Sequence, residues 1–365
     1  MKRRDFLKQS LPAAALVASG CVAKPAASAD VNRPVVKWRL ASSYPPALDT
    51  INGAAKLFAK RVSELTDGLF EIRVFAPGEL MPALQVLDGV QKGAVECGHT
   101  ASYYYTGKNP VFAFETSLPF GLTTRQQFAW LYHAGGLELL RAAYADFNII
   151  NFPGGSTGAQ MGGWFRREVQ TLDDLKGLKM RIPGLGGEVM SKLGVTVQNI
   201  PGSDLYLALE RGAIDATEWV GPYDDEKLGF HKVCKNYYYP GWWEPGPVLT
   251  YLVNKVAWEA LPPAYKAAFD VASSESSMWM TAHYDTVNPS ALTRLLDSGV
   301  TLRKFPDDMM KEAKRIAFEI MEGHAAKSEQ YRTVFEHWKK FRTESYRWFA
   351  TSEIPIEQFI AEYGL

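Results

Sequence analysis

Two heptapeptides set 119 residues apart constrain this chain more than any other feature: Gln91-Lys92-Gly93-Ala94-Val95-Glu96-Cys97 and Glu210-Arg211-Gly212-Ala213-Ile214-Asp215-Ala216. An amphipathic run precedes each, with Leu84, Val86, Leu87 and Val90 in one and Leu205, Leu207 and Leu209 in the other. Each run stops at a glycine, which suits a left-handed helix terminus, and a short apolar strand begins. Upstream, Val35–Leu40 reads as a strand. Ile51, Ala54, Ala55, Phe58, Val62 and Leu65 then recur at helical spacing up to Gly68, and Phe70, Ile72 and Val74 alternate with Glu71 and Arg73. This β-α-β order implies a mostly parallel sheet covered by helices. With 365 residues the chain is long enough for about two domains, so the repeat implies two similarly built α/β lobes. Open α/β sheets take ligands beyond the carboxyl ends of their strands. The segments after the two heptapeptides, His99–Asn109 and Glu218–Asp225, are therefore the first places to look for a site.

The last third reads as helix. A run from Pro263 reaches Leu296, long enough to strap two lobes together, and Asp307–Ala326 and Val334–Phe349 follow. Trp338, Phe341, Tyr346 and Phe349 are expected to pack on the lobes or on a partner subunit, not on a cofactor. The N-terminus is different in kind. Met1-Lys2-Arg3-Arg4-Asp5-Phe6-Leu7-Lys8 with the short apolar stretch Leu11–Ala18 has the layout of a bacterial export signal over residues 1–29, and Arg3-Arg4 resembles the twin-arginine type. Two exits are open: cleavage after Ala27-Ser28-Ala29, or lipidation of Cys21 in Ala18-Ser19-Gly20-Cys21, which resembles a lipoprotein box. Removing residues 1–29 takes Lys2, Arg3, Arg4, Lys8 and Lys24 against Asp5, leaving 35 basic and 39 acidic residues from the original 40 and 40. A mildly acidic protein has no broad cationic surface for nucleic acid or anionic lipid. Cys97 and Cys234 would then be the remaining cysteines, and two buried thiols are expected in place of a disulfide framework.

Templates for catalysis are missing: no Walker loop, no G-x-S-x-G elbow, no HExxH, no CxxC, and no metal-ligand spacing among the six histidines. Gly184-x-Gly186-Gly187 after Pro183 is explained by a tight strand-to-helix turn. Two regions say more. In Leu178-Lys179-Met180-Arg181-Ile182-Pro183, Arg181 ends an otherwise apolar strand, where its two-pronged donor suits either a carboxylate ligand or a surface ion pair. In Glu218-Trp219-Val220-Gly221-Pro222-Tyr223 and Tyr237–Pro247, acids are embedded among aromatics, prolines and glycines, as in the wall of a small-molecule cleft, with aromatic core packing as the alternative. Glu218 and Glu244 facing one anionic ligand would call for a hard cation such as Na⁺ or Ca²⁺.

The export signal, Leu175-Lys176-Gly177-Leu178-Lys179-Met180-Arg181 and Leu209-Glu210-Arg211-Gly212-Ala213-Ile214-Asp215 closely resemble the periplasmic solute-binding subunits of TRAP transporters, over nearly the whole chain after residue 29. Glu218–Asp225 and Tyr238-Tyr239-Pro240-Gly241-Trp242-Trp243-Glu244 resemble the branch that binds 2-oxo acids such as pyruvate, or lactate, together with a metal ion. The resemblance implies a two-lobed periplasmic binding protein fold of type II-like build, with a long strap helix and C-terminal helices. Residues 30–156 and 247–288 would form the first lobe, and 157–246 and 289–365 the second. By motif, Arg181 would clamp the carboxylate, while Gln160 in Gly158-Ala159-Gln160-Met161-Gly162-Gly163-Trp164 would touch ligand and metal. Glu218, Glu244 and the Trp219 carbonyl would stand on the metal side, Glu218 and Trp219 also contacting the ligand. Tyr103, or its neighbour Tyr104, would reach the ligand from the first lobe. The implied function is ligand-gated docking to membrane permease subunits, without catalysis and with a homodimer contact open to the C-terminal helices. A larger organic or sugar acid is the alternative ligand, and a lyase or isomerase acting through Glu218 or Glu244 the alternative class.

Overall fold

The computed structural model describes residues 33–364, so the export signal and Cys21 lie outside the described residues. Eleven strands are described: β1 (Val36–Ser42), β2 (Phe70–Phe75), β3 (Cys97–Thr100), β4 (Ile149–Ser156), β5 (Trp164–Phe165), β6 (Lys179–Arg181), β7 (Thr196–Gln198), β8 (Ala216–Thr217), β9 (Asn236–Tyr239), β10 (Val248–Asn254) and β11 (Thr301–Lys304). They form two sheets, ordered β2-β1-β3-β10-β4 and β11-β9-β5-β8-β6-β7. Each is parallel apart from a single reversed strand: β10 runs against β3 and β4, and β5 against β8 and β9. These are the strands where the chain crosses directly by a loop from the other sheet, β5 after β4 and β10 after β9, whereas β11, reached through the long strap helix, is parallel to β9. A chain leaving at the carboxyl ends of one sheet enters the next from that same side, so its first strand there must point backwards.

The heptapeptide repeat is structural and longer than the sequence match. Pro82 and Pro201 open both copies with nearly the same backbone angles. Gly93 and Gly212 both sit at φ 70°, in the left-handed region that favours glycine. Ala94 N–H donates to the Gly89 carbonyl and Ala213 N–H to the Ala208 carbonyl, both at 2.9 Å, closing the two helices identically. Both copies then deliver a strand, β3 or β8, alongside β1 or β6 in parallel.

The helix Ile51–Leu65 buries Ile51, Ala54, Ala55, Phe58 and Val62 of the predicted stripe, while Leu65 at its last position is exposed. The strap is one helix, Pro263–Asp297, of 35 residues, on the order of 50 Å at 1.5 Å per residue. Its Phe269 and Ala272 pack beneath the first sheet with Phe152 and Tyr251, whereas Met280, Tyr284 and Leu295 join the cluster around Trp164 and Trp219. The helix Asp307–Lys327 matches expectation. The next begins earlier than its apolar pattern indicated, at Glu329, because the Ser328 side chain accepts from Tyr331 N–H and caps it. Its Trp338 is buried edge-on to Phe114 at 6.0 Å and Trp130 Nε1 donates to His337 Nδ1, so this helix covers the flank of the first sheet. A further helix, Glu353–Tyr363, was not foreseen, and no residue of it is buried. Cys97 and Cys234 are both buried and free. Among the described residues no helix is long and apolar enough to cross a membrane.

One buried acid serves the fold alone. Glu115 accepts from Tyr144 Oη at 2.6 Å and Asn151 Nδ2 at 2.7 Å, and burial pushes its carboxyl up to about 7 from 4.5, against those hydrogen bonds. Between these values the folded state binds more protons than the unfolded chain, so its contribution falls as pH rises through that window. Glu115→Gln should remove this slope. The variant is expected to gain about 3 kcal/mol relative to the parent between pH 4.5 and 8, measured by urea denaturation. A constant difference across that range would show that Glu115 is not a buried, neutral acid.

Candidate functional site

Four strand ends converge where the two sheets face each other: those of β1 and β3 in the first, β6 and β8 in the second. Arg181 closes β6 beside Thr217 of β8, so the following residue, Glu218, is delivered to its guanidinium. Arg181 Nε donates to the Ile200 carbonyl at 3.0 Å, and Nη1 to the Glu218 carbonyl at 3.2 Å and to the Glu218 carboxylate. The guanidinium lies 5.1 Å from the Trp219 ring centroid, a cation–π distance. At 1% and 0% exposure, Arg181 and Glu218 form a buried pair, which rules out the surface ion pair that spacing allowed.

Gln160 and Glu244 arrive on two loops stitched together by their backbones. Gln160 N–H donates to the Glu244 carbonyl at 3.1 Å, and Gly241 N–H to the Gln160 carbonyl at 3.0 Å. Gln160 Nε2 donates to Thr157 Oγ1, which turns Oε1 free of any partner. Tyr103 follows β3 and donates through its hydroxyl to Glu244 Oε2 at 3.4 Å. Gly184, at φ 60°, lets the second sheet approach this tyrosine: a Cβ there would stand 3.1 Å from Tyr103 Cβ. The structure thus brings Arg181, Glu218, Trp219, Gln160, Glu244 and Tyr103 into one region.

The aromatic loops contribute less to the wall than their composition implied. Trp242 stacks on Phe120, Trp243 packs edge-on to Phe305, and Tyr238 Oη donates to the Val169 carbonyl, all within the core. The acids after Glu218 are supports. Asp225 accepts from Trp164 Nε1 (2.9 Å), Tyr237 Oη (2.8 Å) and Val220 N–H (3.3 Å), fixing the loop that carries Glu218 and Trp219. Asp224 accepts from Tyr284 Oη of the strap helix at 2.8 Å.

A narrow cavity lies at the convergence, with Arg181, Gln160, Trp219, Tyr103 and Tyr104 in its lining. Tyr44, Ile51 and Leu249 also line it and carried no signal in the sequence reading. Burial pushes Glu218 up to about 7, with Arg181 opposing and Asp225 adding to the shift. Glu244 is held well above the ordinary carboxylate range by burial and by the charge on Glu218, with Arg181 opposing. Burial works against the Arg181 charge too, yet Glu218 facing it holds the guanidinium above its ordinary value. Arg181 therefore stays charged, and the strain falls on two acids that share one cation. Besides Gln160 Oε1, the orphaned buried atoms at the convergence are Glu218 Oε2, Arg181 Nη2, Trp219 Nε1 and Tyr44 Oη. Among the described residues no group of three or more His, Cys, Asp or Glu could hold a metal by itself. A cation here would rest on two carboxylates completed by amide and backbone oxygens.

The family model of bacterial extracellular solute-binding proteins, family 7, matches residues 41–328. A monocarboxylate 2-oxoacid-binding periplasmic protein of Nostoc sp. PCC 7120 is 54% identical over 360 residues, covering 98% of this chain and 99% of that protein. A TRAP transporter solute-binding protein from Bordetella bronchiseptica, a dimer crystallised with copurified calcium and picolinate in one site, superimposes with a TM-score of 0.89 at 48% identity, covering 90% of this chain and 98% of that one. One from Pseudoalteromonas atlantica with bound sodium and pyruvate has a TM-score of 0.85 at 40% identity, covering 90% and 99%. The two-sheet fold, the strap helix and these matches agree: the chain belongs to the DctP family of extracytoplasmic TRAP solute-binding proteins, which serve transport and not catalysis.

Proposed function

We propose that the protein binds a small 2-oxo or 2-hydroxy monocarboxylate together with Ca²⁺ or Na⁺ and presents it to the membrane subunits of a TRAP transporter. The observation that carries this reading is the cavity's chemistry: one guanidinium, Arg181, is its sole cationic lining residue, and Ile51, Val220 and Leu249 supply apolar wall. That suits one carboxylate with a short alkyl end and offers no second cationic side chain to another carboxylate. The relative from Nostoc and the structures holding pyruvate or picolinate support the same class.

The residues present fit a hard cation. Glu218 Oε2 and Gln160 Oε1 are buried oxygens without partners, and Glu244 has only a long hydrogen bond from Tyr103. Glu218, Glu244, Gln160 and the Trp219 carbonyl would hold the ion, which supplies positive charge beside the ligand oxygens. Arg181 orients the carboxylate, and Trp219, Tyr103 and Tyr104 shut out water. The lobes we assign to closure are residues 30–156 with 247–288, and 157–246 with 289–327; the helix Glu329–Thr351, which the resemblance grouped with the second lobe, packs on Phe114 and Trp130 of the first. Beyond the cleft, Ile356, Phe359, Ile360 and Tyr363 of the last helix are more than half exposed and form the face we assign to a homodimer. Whether the exported protein is freed after Ala29 or anchored through lipid on Cys21 is open to mass spectrometry of the membrane and periplasmic fractions.

A thermal-shift screen tests the ligand class. Pyruvate, 2-oxobutyrate and lactate with calcium or sodium are expected to raise the melting temperature, whereas succinate and gluconate should not. At ligand concentrations about 100-fold above Kd the added stability is about 2.7 kcal/mol, several degrees for a domain. A shift from gluconate and none from the short acids would replace the proposed ligand by a sugar acid.

A further inference from the structure

Tyr44 stands in the loop just after β1. In the order β2-β1-β3 the chain leaves β1 to one side and returns to the other, so the gap between the ends of β1 and β3 is the topological switch point of the first sheet. Tyr103 and Tyr104 follow β3 into that gap, and Tyr44 follows β1. Its backbone is pinned: Tyr44 N–H donates to Ser42 Oγ at 3.1 Å, and its carbonyl accepts from Asn52 Nδ2 at 3.1 Å. Its ring is held edge-on between His99 at 5.3 Å and Trp219 at 6.4 Å. The side chain lines the cavity at 2% exposure, and its hydroxyl has no hydrogen-bond partner among the described residues.

The unpartnered atoms around the cavity sort by chemistry. Gln160 Oε1 and Glu218 Oε2 can only accept, which suits a cation. Arg181 Nη2 and the Tyr44 hydroxyl can donate, which suits the oxygens of an anion, whereas the Trp219 indole N–H is turned toward Asp224. Arg181 and Trp219 both belong to the second sheet's side. The Tyr103 hydroxyl is already engaged by Glu244 and the Tyr104 hydroxyl faces the Arg181 guanidinium, so Tyr44 is the rigid donor from the first sheet whose hydroxyl has no partner. Leaving a buried hydroxyl unmet is costly, and nothing in the pinned loop allows it to turn elsewhere.

We propose that the Tyr44 hydroxyl donates a hydrogen bond to an oxygen of the bound acid, making Tyr44 the first lobe's ligand-binding residue. This rests on the small-carboxylate reading above. It assigns the grip across the cleft to Tyr44, with Tyr103 reserved for holding Glu244.

The test is calorimetric titration of pyruvate in calcium buffer into the wild type, Tyr44→Phe and Tyr103→Phe, each checked by thermal melting without ligand. Tyr44→Phe should keep its ligand-free melting temperature, since it loses only an unmet hydroxyl, and should bind pyruvate about 10- to 100-fold more weakly, the range for a hydrogen bond to a charged group. Tyr44→Phe binding within twofold of wild type overturns the proposal while leaving the ligand class intact. Wild type that takes up none of pyruvate, 2-oxobutyrate or lactate overturns the ligand class, and the Tyr44 assignment with it. Should Tyr44→Phe melt early, Tyr44→Trp, which keeps an aromatic ring and restores a donor, is expected to recover binding above the phenylalanine variant; no recovery counts against the proposal.

Discussion

Arg181→Ala is expected to abolish binding of the short carboxylates and to destabilise the ligand-free protein by about 3–5 kcal/mol. Both effects have the same origin. The guanidinium is at once the cavity's cation and the partner of Glu218, two groups at 1% and 0% exposure. Without it, Glu218 is a buried acid facing a second one, Glu244, with no positive charge between them. Two further variants separate stability from binding. Arg181→Lys keeps a charge but loses the planar fork that reaches the Ile200 and Glu218 carbonyls, so it should fold and bind about 10- to 100-fold more weakly. The pair Arg181→Leu with Glu218→Leu removes both charges and should regain most of the lost stability with no recovery of binding. Urea denaturation and calorimetric titration read the two quantities apart. Arg181→Ala that still bound pyruvate within threefold of wild type would remove Arg181 from the ligand clamp.

What the sequence disclosed about this site depended on how locally each signal was written. Arg181 stood out because a charge at the end of an apolar strand is anomalous within three residues, and Glu218 because it stands two residues after the second heptapeptide. The repeat pointed to the ends of β3 and β8, and the structure does bring Tyr103 and Glu218 to the convergence. Tyr44 follows β1, a strand without a repeated partner motif, and one tyrosine after a strand says nothing about its hydroxyl. Its orphaned state emerges only when Asn52, His99 and Trp219 close around it. Trp242 and Trp243 show the opposite failure. Rings have the same composition in a ligand wall as in a core, and only packing against Phe120 and Phe305 decides between them. Asp224 and Asp225 lay inside a segment already singled out, yet their task depends on Tyr284, 60 residues away, and on Trp164 and Tyr237. The reversed strands β5 and β10 were equally hidden, since direction follows from which sheet the chain has just left.

Glu244→Gln should make the ligand-free protein more stable and its ligand binding poorer, a pair of opposite signs that a purely structural residue would not give. When a cation displaces the protons of Glu218 and Glu244, the two carboxylates beside Arg181 carry one net negative charge, and a bound monocarboxylate makes two. A divalent ion brings that sum to zero, whereas a monovalent ion leaves one charge over, so calcium should support tighter binding than sodium. Glu244 is the less supported acid, with a single 3.4 Å hydrogen bond from Tyr103 where Glu218 has a guanidinium. Burial and Glu218 hold this acid above its ordinary range, so folding must protonate it; the isosteric amide spares that step and should raise the ligand-free stability by about 1–3 kcal/mol. The same change takes one carboxylate from the cation. The calcium-dependent part of pyruvate binding should then fall by about 100-fold or more, given that a buried charge pair contributes several kcal/mol. Titrations of pyruvate at fixed calcium, at fixed sodium and in chelator provide the comparison. Undiminished calcium dependence in Glu244→Gln would take Glu244 out of the cation site and leave Glu218, Gln160 and the Trp219 carbonyl to hold it.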